Sequence, residues 1–333
     1  MESSRLNVLI TGGTGFIGSR LGLRCLEDGH SVRILGQENT PAESVNRKFV
    51  EDRGGRVILE SVTNAHGLPE LFQGVDVVFH LAAVQHEMNV PDRKFWDVNV
   101  TGTKNILEAS IRAGVKRFVH GSTIGVYGSI EGVVDEQTPC MPDNIYGVTK
   151  FEGEKLALSF CDRIPVVVIR IPEVYGPGDR RLLKLFKAIR RKAFVVIGRG
   201  ENLHHLIYID DLVEGLLQSA VHPAAANKLF LLAGAEPVTT NQMVAAISRH
   251  FGTSPPRFHA PMFPFLVAAI VLEKTLRPLG IQPPLHRRRL DFFKKSFTLS
   301  SRLAQQTFGF SPKADFPQGA LKTANWYEEM GYL

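Results

Sequence analysis

The chain has 333 residues, 44% of them hydrophobic, and a formal charge of +6. That is enough apolar material for one large domain or two modest ones with buried cores, which excludes a disordered chain. A net positive charge admits nucleic acid, a membrane surface or an anionic substrate as partners, so where the charge lies matters more than its size.

The opening residues, MESSRLNVLI, lack the basic start, apolar core and cleavage site of a secretory signal, so the cytoplasm is the expected location. From NVLIT onward, short apolar runs alternate with helical patterns: SVRIL, RVILE, DVVFHLA, RFVHGS and VVVIRI follow one another with helices between. Strands alternating with helices of this length predict an α/β fold with a doubly wound parallel sheet of Rossmann type. The Val/Ile-rich runs, with little polar alternation, suit strands covered by helices on both faces.

The first strand runs into TGGTGFIGSRL, where Gly12, Gly15 and Gly18 are spaced by three and Gly13, Gly15 and Gly18 satisfy GxGxxG. Glycines there permit a tight turn and let the backbone approach a pyrophosphate at a helix N-terminus, which predicts dinucleotide binding. A bare tight turn is the competing reading. An acid should end the second strand if the adenine ribose keeps a free 2′-hydroxyl. SVRILGQEN instead places Gly36 there, followed by Gln37 and Glu38. The missing carboxylate leans toward NADP, but Arg33, the nearby cation, lies within the strand and Glu38 is within reach of the ribose; NAD and NADP both stay open.

Further along, VKRFVHGSTIGVYG ends a strand on Ser122 and Thr123, and PDNIYGVTKFEGEKL carries Tyr146 and Lys150 four apart on a predicted helix. Residues i and i+4 share a helix face, so both side chains meet one ligand. Lowering a tyrosine from about 10 to near 7 needs roughly 4 kcal/mol of preference for the phenolate, which a nearby ammonium and a positive nicotinamide ring supply. Such a tyrosine is a general acid or base, with Thr123 orienting the substrate oxygen. The bland reading is a polar helix face, with Ser122 and Thr123 capping a turn.

After Arg170 the rhythm loosens. FVVIG and KLFLLAG, near 194–197 and 228–232, are the remaining runs expected to return to the sheet. The resulting division is a dinucleotide-binding domain over 1–170 and a smaller, discontinuous C-terminal substrate lobe over 171–333. Within that lobe, PMFPFLVAAIVLEKTLRPLG at 261–280 holds an apolar helical run too short to cross a membrane. Between Glu273 and Arg302 stand Lys274, Arg277, Arg287, Arg288, Arg289, Lys294, Lys295 and Arg302 against two acids, which accounts for the whole excess charge. Three readings stay open for 261–302: a buried lobe helix with a solvated basic face, a greasy mouth resting peripherally on anionic membrane, or arginines holding a diphosphate. Nucleic acid is not expected, because base-stacking organisation is lacking apart from Phe292, Phe293 and Phe297. Cys25, Cys140 and Cys161 match no metal-ligand pattern and are expected as reduced core thiols; no metal is expected.

Taken in order, TGGTGFIG at 11–18, HLAA at 80–83, NVTGTKNILEA at 99–109, GSTIGVYG at 121–128, YGVTK at 146–150, RIPEVYGPGD at 170–179 and LIYIDDLVEG at 206–215 resemble the extended short-chain dehydrogenase/reductases, the NAD-dependent epimerase/dehydratase family. The resemblance covers nearly the whole chain. It implies that Tyr146 is the catalytic acid/base, that Lys150 binds the nicotinamide ribose and lowers the tyrosine pKa, and that Thr123 holds the reacting oxygen. It further implies cofactor contacts from Gly12, Thr14, Gly15, Phe16, Ile17, Gly18, Leu81, Ala82, Ala83, Ser122 and Pro172, with Asn99 supporting the site. Ser61 stands where the family usually has an adenine-touching Asp. A homodimer through the helices after Asn99 and Asn144 is expected by analogy.

Ile124 and Gly125 follow Thr123 where the family's dehydratases carry an acidic pair, which argues against dehydration. Glu173 and His204 replace the Asn and Arg with which the family's nucleotide-sugar epimerases hold a diphosphate. The expected function is therefore an oxidoreductase interconverting a secondary alcohol and a ketone on a lipid-like or polycyclic small molecule, resembling the 3β-hydroxysteroid dehydrogenase-like branch. A nucleotide-sugar 4-epimerase is the alternative, and a non-catalytic dinucleotide sensor the remote one.

Overall fold

The strands Asn7–Thr11 (β1), Ser31–Gly36 (β2), Arg56–Leu59 (β3), Val77–His80 (β4), Arg117–Thr123 (β5), Val166–Ile171 (β6) and Lys228–Leu231 (β7) form one sheet in the order β7-β6-β5-β4-β1-β2-β3. Every pairing in it is parallel. The computed structural model describes residues 5–333 except 66–67, 86–89, 130, 257, 277–280, 282, 284 and 286, and gives no side-chain placement for 287–289. Arg277 and the side chains of Arg287, Arg288 and Arg289 thus lie outside the described residues.

Alternation along the strands feeds two cores. Val8 and Ile10 of β1 face the helices Phe16–Glu27 (α1) and Ile209–Val221, packing with Leu21, Leu212 and Leu216. Leu9 faces the opposite side, packing with Leu107 of helix Thr103–Arg112 and Ala157 of helix Ile145–Leu158. Each such side chain, fully withdrawn from water, contributes roughly 1.5–3 kcal/mol. Because β1 is followed outward by β2 and β3 while β4 returns to its other flank, the chain reverses direction between β1 and β4. That crevice, beyond the carboxyl ends of the strands, is where open α/β sheets bind ligands.

Two expectations need correction. Val196–Ile197 does not join the large sheet; it pairs with His259–Ala260. The edge beside β6 is already taken by Lys228–Leu231, so the earlier apolar segment stays with the lobe, where Ile197 packs against Ala269 and Leu290. Of the cysteines only Cys25 is a core thiol; Cys140 and Cys161 are half-buried, and all three are unbridged.

One polar cluster sits inside the packing. Arg170, at the end of β6, meets Glu154 at 2.6 Å with both side chains at most 5% exposed. Ser122 donates to Glu154 at 2.8 Å, and Arg170 donates to Tyr127, whose hydroxyl in turn donates to the Asp135 carbonyl at 2.6 Å. Removing one member of a dry ion pair strands the other charge. We expect Arg170→Met to lower stability by about 3–5 kcal/mol, with Glu154→Leu/Arg170→Met recovering part of it; chemical denaturation midpoints of the three proteins check this.

Candidate active site

The glycine turn, the ends of β4 and β5 and the start of the 145–158 helix (α2) surround one groove of about 950 Å³. Gly12 has φ +70°, and a Cβ there would lie 2.7 Å from the Ala82 backbone nitrogen, so only glycine lets the turn settle against the end of β4. Thr14 donates to the Gln37 carbonyl at 2.7 Å and Asn46 donates to the Thr14 carbonyl at 2.9 Å, fastening the turn beside β2. No side chain caps α1, and its first turn holds no acid. Its free N–H groups, at the part of the groove lined by Gly15, Phe16, Ile17 and Gly18, suit a pyrophosphate.

Leu81, Ala82, Ala83, Ser122, Thr123, Tyr146, Lys150 and Pro172 line the same groove. Asn99 does not. It is 1% exposed and braces the wall from behind, exchanging hydrogen bonds with the Val84 backbone and donating to Thr149 of α2. A second brace escaped the sequence reading: His80 lies 2.7 Å from the Thr11 hydroxyl and 2.9 Å from the Thr103 hydroxyl, which itself donates to the Asn99 carbonyl. Burial, seconded by the Lys150 charge, pushes His80 down to about 3, so the ring is neutral.

Asn144 caps α2 by accepting from the Gly147 amide at 3.0 Å. A Cβ on Gly147 would sit 2.6 Å from the Gly125 carbonyl, so this glycine lets the helix approach the segment after β5 and brings Tyr146 to Thr123. The Thr123 hydroxyl is close enough to the phenol to act on its pKa. Burial raises the Tyr146 pKa, opposed first by the Thr123 hydroxyl and then by the Arg181 charge. Lys150 is 2% exposed and donates to the Gly121 carbonyl. Burial pushes it down to about 8, against the pull of Glu154. The Lys150 ammonium is turned to that backbone oxygen, and the Arg181 charge, which the spacing does not reveal, also acts on Tyr146.

At one end the groove is lined by Gly36, Gln37, Asn39, Glu43 and Ser61. Glu38 instead pairs with Arg47 at 2.8 Å, and Arg33 donates to the Leu71 and Gln73 carbonyls. Two acids line this end, Glu43, which accepts from the Asn39 amide at 2.8 Å, and Glu60 beside Ser61. Glu43 belongs to the helix after β2, beyond the position where the motif places its acid.

At the other end stand Glu173, Arg181, His204, His205, Phe292 and Lys295. Arg181 pairs with Asp179 at 2.9 Å and donates to the Val174 carbonyl, while the Tyr327 hydroxyl donates to the Asp179 carbonyl at 2.7 Å. Burial raises the Glu173 pKa, with the Arg181 charge opposing it. His204 lies 2.9 Å from the Thr240 hydroxyl with its ring 4.5 Å from that of Phe292, and burial pushes it down to about 4. His205 accepts from the Leu299 amide at 2.8 Å and reaches the Gly234 carbonyl at 3.0 Å. Both imidazoles are engaged in holding the lobe together.

The NAD dependent epimerase/dehydratase family matches residues 8–233. A 3beta-hydroxysteroid-dehydrogenase/decarboxylase of Arabidopsis thaliana is 28% identical over 84% of this chain, which spans 53% of that protein. A protein of Bacillus subtilis (strain 168) described as an uncharacterized UDP-glucose epimerase is 32% identical over 73% of this chain and 81% of its own length. Among solved structures, MoeE5 in complex with UDP-glucose and NAD is 26% identical with a TM-score of 0.75, covering 97% of this chain and 99% of that one. The UDP-glucuronic acid 4-epimerase of Bacillus cereus in complex with NAD, at 24% identity and a TM-score of 0.78 over 98% and 99% of the two chains, shares the fold.

The depressed Lys150 has a measurable signature. Charge on a lysine held near 8 is penalised by folding at neutral pH, and the penalty fades as pH rises from 8 toward the ordinary 10.5. Lys150→Met is therefore expected to raise the melting temperature at pH 7, with the gain shrinking above about pH 8; melting curves of both proteins between those limits test it.

Proposed function

The chain belongs to the NAD-dependent epimerase/dehydratase family, and on that premise we propose that it interconverts a secondary alcohol and a ketone on a lipid-like or polycyclic substrate. The observation that carries this reading is that Thr123 and Tyr146 stand side by side in the groove that the glycine turn opens. In the reducing direction Tyr146, which its raised pKa keeps protonated, gives its proton to the carbonyl oxygen beside Thr123, so the O–H bond forms as the carbonyl is reduced. A bound NADH would supply the hydride that reduces the carbonyl carbon. Lys150, buried under the phenol's helix, is placed to hold the nicotinamide ribose, and Gly12, Thr14, Gly15, Phe16, Ile17 and Gly18 the pyrophosphate. Leu81, Ala82 and Ala83 would pass beneath the cofactor, with Ser122 and Pro172 near the nicotinamide.

Substrate class follows from the far end of the groove. Glu173 lines that end and stands, by the resemblance, in place of the Asn that helps the family's nucleotide-sugar epimerases hold a diphosphate, where a second anion would be repelled. His204 offers no charge to offset it, being held neutral against Thr240 and Phe292. The resemblance to the plant 3beta-hydroxysteroid-dehydrogenase/decarboxylase agrees with this reading. Arg181 and Lys295 in the groove, and the likeness to proteins named for UDP-sugars, favour the second reading, a nucleotide-sugar 4-epimerase. For the cofactor we propose NAD over NADP, because Glu43 and Glu60 line the groove beside Gly36 and Gln37, where a 2′-phosphate would meet their charge.

Purified protein assayed with 3-hydroxy and 3-keto sterols and acyl alcohols, against UDP- and GDP-sugars, is expected to turn over the lipids. Tyr146→Phe should cut that rate by about 10²–10⁴-fold. Turnover of the sugars alone overturns the proposal. Glu173→Asn is expected to tighten UDP binding by at least about tenfold, read by calorimetry, and NADH should bind more tightly than NADPH in the same instrument.

A further inference from the structure

Helix Met262–Leu276 is apolar along most of its length, yet only Ala269 and Glu273 of it are buried. Its inner side packs through Met262, Phe265 and Leu266 onto Leu290 and Phe293. Its outer side carries Phe263, Val267 and Val271, exposed by 74%, 44% and 53%. Four-residue spacing puts these three on a single stripe, and Phe258, 71% exposed, precedes them in the chain. Scattered exposed hydrophobes need no explanation; an aligned stripe does.

Charge indicates what covers it. Lys274 is exposed at the helix end, Lys294 is exposed on the following helix, and Lys295 follows. The stretch from 273 to 302 holds eight basic residues against two acidic ones. A second copy docking on the stripe by two-fold symmetry would bring that basic stretch against itself. An anionic lipid surface accepts both features at once, the apolar stripe entering the acyl boundary and the lysines meeting headgroups. At about 1.5 Å per residue, the 15-residue helix is shorter than a bilayer is thick. Among the described residues no helix is long and apolar enough to cross a membrane.

Position ties the stripe to the groove. The helix Arg287–Lys294 lies directly beneath, contributing Leu290 and Phe293 to the contact. Its neighbouring side chain Phe292 lines the groove against His204. A single helix therefore separates the apolar face from the end of the groove opposite the glycine turn.

We propose that the 262–276 helix docks this protein on anionic membrane, lying in the interface with Phe263, Val267 and Val271 inserted and the groove's far end facing the lipid. The inference does not depend on the reaction proposed above, because partitioning is read without turnover. Full-length protein is mixed with vesicles of phosphatidylcholine alone or with about a third phosphatidylglycerol and sedimented. The expected result is at least about tenfold stronger partitioning onto the anionic vesicles, weakening as salt is raised. Val267→Glu/Val271→Glu should cut it by at least about tenfold while leaving NADH binding and the melting curve unchanged. Lys274→Glu/Lys294→Glu, which leaves the stripe intact, should remove most of the salt-dependent part. Equal partitioning of the parent and both variants overturns the proposal. So does a parent dimer, seen by light scattering, that the valine variant splits without any change in vesicle binding.

Discussion

Glu154 and Arg170 meet in the dry interior at 2.6 Å, and neither charge tolerates being left alone there. That requirement ties the 145–158 helix to the ends of two neighbouring strands, to β5 through Ser122 and to β6 through Arg170. Tyr146 and Lys150 precede Glu154 on the same helix, so the ion pair sets the height of the reactive face above the sheet. Gly147 then fixes its separation from the Thr123 strand end, because any larger residue would meet the Gly125 carbonyl. Non-directional burial brings helix and sheet together, and these two constraints decide where the phenol stops.

Along the groove the electrostatics change in steps. The end holding Glu43 and Glu60 is acidic, the middle buries Lys150 under a backbone carbonyl, and the far end mixes Glu173 with Arg181 and Lys295. Buried lysine and phenol have opposite responses to the same environment: loss of water lowers the one and raises the other. Thr123 and Arg181 oppose the rise on the phenol, the first through its hydroxyl and the second through its charge.

Much of the architecture was readable from local pattern. The glycine turn and the Tyr146/Lys150 spacing are short-range signals whose geometry is dictated by the turn and the helix period, and the alternating apolar runs name the strands of the sheet. What escaped depends on tertiary placement. Val196–Ile197 has the composition of a sheet strand but pairs within the lobe with His259–Ala260, and Lys228–Leu231 takes the place beside β6. Glu43 lies in the helix after β2, where no motif looks for an acid. Arg181 stands far in sequence from Tyr146, so no helix spacing names it as a charge acting on the phenol. Cys140 and Cys161, whose burial no periodicity reveals, proved to be half-covered.

The bond from Tyr327 to the Asp179 carbonyl sets an order of assembly. Asp179 orients Arg181, so the electrostatics around Tyr146 depend on a residue almost 150 positions downstream, on the helix Phe316–Glu329. During synthesis from the N-terminus, the sheet and glycine turn have their sequence complete long before that helix has left the ribosome. A nascent chain can therefore fold its nucleotide half while the substrate half still lacks the tyrosine that anchors Asp179.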